Sequence, residues 1–283
     1  YNITYGVSLK LRYSNLPDLV LSIIGVTSNA LLLNAFSKDP LKCFRNSGTY
    51  LVINLSLCDC LTCAFAPFYN TVKISGQYQI FECLILWSTS ASLVSILSIS
   101  IDRYFMVAFP IRHHVLMDGK DTVLWLAAVW IVSCTLPVLR VCDGLHRRDH
   151  RIQQHTFGTV VITLSSIFYV LTNYKLKKQS KNIALQNSNG RRAQERRILK
   201  EKKFLKTIVI IAFFAFFCIV PSMVVFQLYY LLGKHSSAVM MLRKLFVFFF
   251  YINFQVNPFI YVIRLPNYRK TFRILYCKGR SLS

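Results

Sequence analysis

The sequence predicts an all-α membrane protein: a seven-transmembrane helix bundle with a short amphipathic helix on the inner membrane surface. Three observations lead there. The 283 residues are 54% hydrophobic and only 16% charged, too apolar for an ordinary soluble domain of this length. The apolar residues fall in blocks of about 20, the length a helix needs to cross roughly 30 Å of hydrocarbon. The net charge is +23, and most Lys and Arg gather in alternate connections and at the C-terminus. Strand periodicity is absent, which speaks against a membrane barrel.

The seven blocks are 17–37, 47–70, 82–107, 121–138, 157–174, 205–232 and 240–263. The second and third carry polar residues, but too few to forbid insertion. Basic residues cluster in the first, third and fifth connections and in the tail, and positive charge marks the cytoplasmic side. Residues 1–16 therefore read as an extracellular N-terminus, 17–263 as the membrane domain and 264–283 as a cytoplasmic tail, in a multi-pass protein of the plasma membrane. This placement also argues against nucleic acid as the partner of the positive charge. Asn2 opens an Asn-Ile-Thr sequon on the outer side, a glycosylation site or a chance match. Asn54 opens a second sequon, but inside a span, where it is inaccessible.

The long basic connection, 175–204, reads as extensions of spans five and six around a flexible Asn/Ser/Gly centre. The tail segment "PNYRKTFRILYC", 266–277, starts with Pro and alternates bases with aromatics and Leu. That suits a helix on the membrane surface. Cys277 at its end is a palmitoylation site or an unmodified thiol. Nine cysteines show no metal spacing and no His partner, and those within spans read as small packing residues. No cofactor is implied, apart from one ion discussed next.

Asp59 sits near the middle of span two. A charge there costs at least about 3 kcal/mol, so a paired or functional role is the default. Asn29, Ser92, Asn253 and Asn257 lie at similar depth. A carboxylate, a hydroxyl and amide oxygens suit a small hard cation such as sodium; an interhelical hydrogen-bond knot without an ion suits the same residues. At the inner end of span three Asp102 and Arg103 stand side by side, followed by Tyr104. Asp102 can pair with Arg103 locally, and Glu201, at the base of span six, can pair with it across helices. Such a tie is a candidate two-state element. The plainer reading is a snorkelling arginine with an acid beside it. Pro221 and Pro258 each remove a helix hydrogen bond and allow a kink.

Taken together, these residues resemble the rhodopsin-like (class A) G-protein-coupled receptor family. "SNALLL" around Asn29, "NLSLCD" ending in Asp59, "IDRY", Trp130 and "NPFIY", 257–261, match that family's signatures in order across nearly the whole chain. The resemblance implies roles. Arg103 would pack against Asp102 and Glu201 at rest and face a heterotrimeric G protein once helix six swings out. Tyr169 and Tyr261 would help hold the active state, with Tyr104, Asn257 and Pro258 part of the same switch. Asp59, Ser92, Asn253 and Asn257 would form an allosteric sodium site. The ligand pocket would be walled by Ile85, Leu86, Thr89, Met223, Phe226, Val247 and Tyr251, with Lys73 and Arg243 near its rim.

The departures are informative. Ile219 stands where the family usually has Trp in span six, and span five has no proline. The usual outer disulfide would need Cys83 and Cys142, with Cys142 in the second outer loop. Cys83 lies about one helical turn too near Arg103 at roughly 1.5 Å rise per residue, so that pairing stays open. The aspartate of amine receptors would fall at Ile85 and the retinal lysine of opsins at Tyr251, which disfavours both ligands. An extracellular peptide or an anionic lipid is the favoured ligand. The competing class is a multi-span transporter or channel, which would call for inverted repeats or broken Gly-rich helices. An enzyme would need a second mid-membrane acid, a metal motif or an activated serine, and no such feature occurs.

Overall fold

The computed structural model describes residues 16–44, 46–72, 78–117, 119–142, 147–184, 191–231 and 237–277. These form helices α1 (Leu16–Lys38), α2 (Ser47–Val72), α3 (Tyr78–Ala108), α4 (Pro110–Leu116), α5 (Gly119–Ser133), α6 (Thr135–Cys142), α7 (Arg147–Ala184), α8 (Arg191–Leu231), α9 (Ser237–Arg264) and α10 (Pro266–Tyr276). Among the described residues, six stretches are long and apolar enough to cross a membrane: α1, α2, α3, α5 with α6, α7 and α8. The expected seventh span is α9, whose core carries the buried Asn253, Gln255 and Asn257.

Backbone polarity explains why the bundle is helical: in hydrocarbon each N–H and C=O must be satisfied within its own segment. Large apolar side chains such as Ile131, Val170 and Phe213 point outward, as lipid-facing residues do. The ring closes through α1 against α2, α2 against α3, α3 against α7, α7 against α8, α8 against α9, and α9 against α1. Helix α3 is the pillar; it also touches α4, α5 and α6. Its inward face is studded with Ser88, Ser92, Ser95 and Ser98, all buried, and small residues let helix backbones approach closely.

The fourth span is not one helix. It breaks at Cys134, whose N–H is shared between the carbonyls of Trp130 (3.2 Å) and Ile131 (3.1 Å). Pro137, three residues on, has no N–H with which to continue the ladder. The break places Cys142 at the end of α6 rather than in the loop expected for it. Helix α4 was not expected either: Pro110 starts it with its fixed φ, a usual first-turn role for proline. Helices α7 and α8 run past the apolar cores into the basic connection. Leu265 introduces α10, and Pro266 starts it. Its Tyr268 and Thr271 are buried while Arg269, Lys270 and Arg273 are exposed.

Candidate functional site

At the C-terminal end of α3, Asp102 is fully buried. Its Oδ2 accepts from Arg103 Nε at 2.8 Å and from the same guanidinium's Nη2. Its Oδ1 accepts from the Ser47 hydroxyl at 3.0 Å and lies 2.8 Å from His113 Nε2. Arg103 reaches across to α8. Its Nη1 is 3.4 Å from Glu201 Oε2, and its Cζ lies 4.7 Å from the Phe204 ring centroid. Glu201 and Phe204 are three residues apart and so share one face of α8. Gly48 makes room: a Cβ there would fall on the Arg103 guanidinium. Ser47, Arg103, His113, Glu201 and Phe204 border a cavity of about 750 Å³, lined also by Met106, Lys203 and Tyr268. Tyr104 packs edge-on to Phe168 of α7, centroids 5.7 Å apart.

Deeper in the bundle, Asp59 is again fully buried. Its two oxygens accept from Ser92 Oγ at 2.6 Å and from Asn257 Nδ2 at 2.7 Å. These bonds join α2 to α3 and to α9. Asn253 is buried and its amide nitrogen has no partner. Asn29 ties α1 to α9 by donating to the Phe254 carbonyl at 3.0 Å. Pro258 lies within α9. Tyr261 is buried, stacks on Tyr268 at 5.6 Å and leaves its hydroxyl unpaired. The Tyr169 hydroxyl points at the Ile96 carbonyl, 3.5 Å away.

The region expected to hold the ligand is described in part. Leu86 and Thr89 are buried and Ile85 and Tyr251 half-buried; the Thr89 hydroxyl has no partner. The side chains of Met223, Phe226, Arg243 and Val247 lie outside the described residues, as do Asn2 and Lys73. Cys83 is a free thiol. Beside it Glu82 faces Arg140 of α6 at 3.7 Å. Cys277 is exposed at the end of α10.

Three partners of the Asp102–Arg103 pair were not foreseen: Ser47, His113 and Phe204. Neither a helical spacing rule nor a run of charge connects them to the pair, because Ser47 and His113 meet Asp102, and Phe204 meets Arg103, only when α2, α4 and α8 converge on α3. Asn54 is a further case. It is buried, donating to Ser95 at 2.8 Å and accepting from Trp130 Nε1 at 2.9 Å.

Residues 28–261 match the family model described as 7 transmembrane receptor (rhodopsin family). The chain belongs to that family. It is a class A G-protein-coupled receptor, a multi-pass membrane protein that responds to an extracellular ligand and is not an enzyme. The receptor is similar to the Allatostatin-A receptor of Bombyx mori, 23% identical over 91% of this chain and 78% of that one. It is similar to the Adenosine receptor A2a of Canis lupus familiaris, 24% identical over 90% of this chain and 70% of that one. A shorter stretch is 27% identical to the Adenosine receptor A2b of Gallus gallus, covering 41% of this chain and 35% of that one.

Proposed function

We propose that this receptor couples to a heterotrimeric G protein through a switch centred on Arg103, and that a peptide or an anionic lipid arriving from outside throws it. The observation that supports this is the Arg103–Glu201 pair, which ties the third span to the sixth beside an inner cavity. At rest Arg103 is occupied by Asp102, Glu201 and Phe204. Outward movement of the inner end of α8 removes two of those three contacts and leaves the guanidinium facing the cavity. A ligand acts by binding the open arrangement better than the closed one, since it shifts the equilibrium only by that difference. The relatives are named for unlike ligands, so similarity to them does not choose one. The unpaired Thr89 hydroxyl offers one hydrogen bond to a polar group of the ligand.

Asp59, Ser92, Asn253 and Asn257 would hold a sodium ion. The donor set fits a hard cation: a carboxylate and a hydroxyl already in contact, with amides on the neighbouring helix. A bound cation would neutralise the buried carboxylate and favour the closed bundle. The N-terminus is read as extracellular, with Asn2 glycosylated and Cys277 palmitoylated, anchoring α10 to the inner leaflet.

The test is a G-protein activation assay in cells, screened against peptide and lipid libraries, with Glu201→Ala run alongside. A partly exposed ion pair contributes about 0–1 kcal/mol, so basal signalling should rise by at most about fivefold. Unchanged basal signalling in Glu201→Ala, at equal surface expression, would count against the tie.

A further inference from the structure

His113 occupies a place that the switch described above does not use. Pro110 opens α4 directly below α3, and the His113 N–H bonds to the Phe109 carbonyl at 2.9 Å. That helical turn carries the imidazole back under Asp102, with Nε2 2.8 Å from Oδ1. The side chain is 11% exposed and borders the inner cavity, so protons reach it from the cytosolic side. Arg103 and Ser47 hold the same carboxylate, but neither changes charge near neutral pH. An imidazole does.

We propose that His113 is a positioning residue of the coupling switch, holding Asp102 against Arg103 and making the resting state more favoured as cytosolic pH falls. This rests on the reading of Arg103 as the switch. A neutral imidazole offers Asp102 one hydrogen bond from Nε2–H. A protonated one offers the same bond and a full positive charge. The groups around it set the sign. Asp102 on α3 attracts the charge at contact distance, and Glu201 on α8 attracts it across the cavity. Arg103 and Lys203 repel it, but the Arg103 guanidinium is already paired with two carboxylates, and Lys203 is exposed to screening solvent. Arg112 on α4 and Lys120 on α5 are exposed as well. Cys43 and Tyr268 also line the cavity. Burial, and then Asp39, push the Cys43 thiol up, and burial pushes the Tyr268 phenol up, so both stay neutral in this range. The nearest charge, Asp102, decides. The extra hold belongs to the protonated ring in contact with Asp102 and is lost when the proton leaves.

Two measurements on the full-length receptor in nanodiscs test this, each from pH 6.0 to 8.0. One is basal nucleotide exchange on added G protein; the other is the receptor's own melting temperature, which needs no G protein. The variants are His113→Gln, whose amide replaces Nε2–H without titrating, and His113→Phe, which offers no bond. Relative to His113→Gln in the same preparations, wild-type exchange should be about two- to threefold lower at pH 6.0 and equal at pH 8.0, the size expected of a partly exposed ion pair. The wild-type melting temperature should exceed that of His113→Gln at pH 6.0 only. His113→Phe should show raised basal exchange at every pH, and His113→Gln should restore the wild-type level at pH 8.0. Parallel pH profiles for wild type and His113→Gln in both measurements would overturn the proton-dependent hold. Wild-type basal exchange in His113→Phe would overturn the positioning role. A pH-dependent melting difference without any G-protein exchange would support the His113–Asp102 hold and refute the coupling function instead.

Discussion

Asp59 is the residue whose placement is hardest to account for by packing alone. A buried carboxylate with two donors and an unpaired amide nearby is costly unless it serves a purpose. If it holds sodium, raising sodium should stabilise the inactive receptor and lower agonist affinity. Asp59→Asn should abolish that dependence; titrating sodium against agonist affinity in both proteins checks it, and an undiminished response in the variant sinks the idea. Gly48 gives a second prediction. In Gly48→Ala the new Cβ would press on the Arg103 guanidinium, the far end of a flexible side chain, so the fold should survive while the resting tie loosens. Basal G-protein activation should rise at equal surface expression. At Trp130 the argument is a lost donor: Trp130→Phe would leave the Asn54 oxygen buried without that bond, at about 1–3 kcal/mol. A lower melting temperature of the purified receptor, with unchanged helix content, is the expected result. The sequence pointed to Asp59 and Asn257 because polarity inside an apolar run stands out. It could not show that Asn54 and Trp130 meet, since that contact depends on how two spans pack.

Among the helices, the apolar runs were legible from composition and the ends were not. The break at Cys134 illustrates why. Hydropathy is continuous across it, and only the bifurcated N–H of Cys134 and the missing N–H of Pro137 record the turn. Helix α4 is too short to show a periodicity, and it brings His113 to Asp102. The N-terminal end of α3 gives a testable consequence. Cys83 is free, and Glu82 with Arg140 joins α3 to α6. Cys83→Ser should therefore reach the cell surface at the wild-type level, read by surface labelling. Loss of folding, matched by Cys142→Ser, would show that a disulfide forms there after all. At the other face, the Tyr276 hydroxyl donates to the Leu31 carbonyl at 2.9 Å and accepts from Asn34 Nδ2 at 2.8 Å, fastening α10 to α1. Tyr276→Phe should speed amide exchange in α10 and leave α3 unchanged.

Among the described residues, α3 joins two buried carboxylate clusters: the Asp59 cluster part-way along it and the Asp102–Arg103 cluster at its C-terminal end. Each cluster ties α2 and α3 to a third helix, α9 at the Asp59 cluster and α8 at the Asp102–Arg103 cluster. A packed bundle with such ties has discrete arrangements rather than a continuum. That is how a ligand at one end can change what the other end presents. The family and fold followed from motifs in register, whereas the ligand did not, because apolar walls serve packing and binding equally. Arg103 is the residue on which coupling depends in the proposed switch. The decisive measurement is G-protein activation by Arg103→Ala in cells, at surface expression matched to wild type, once an agonist is in hand. Agonist binding should be retained and activation lost or strongly reduced. Full activation by Arg103→Ala would contradict the assigned switch, whatever the ligand.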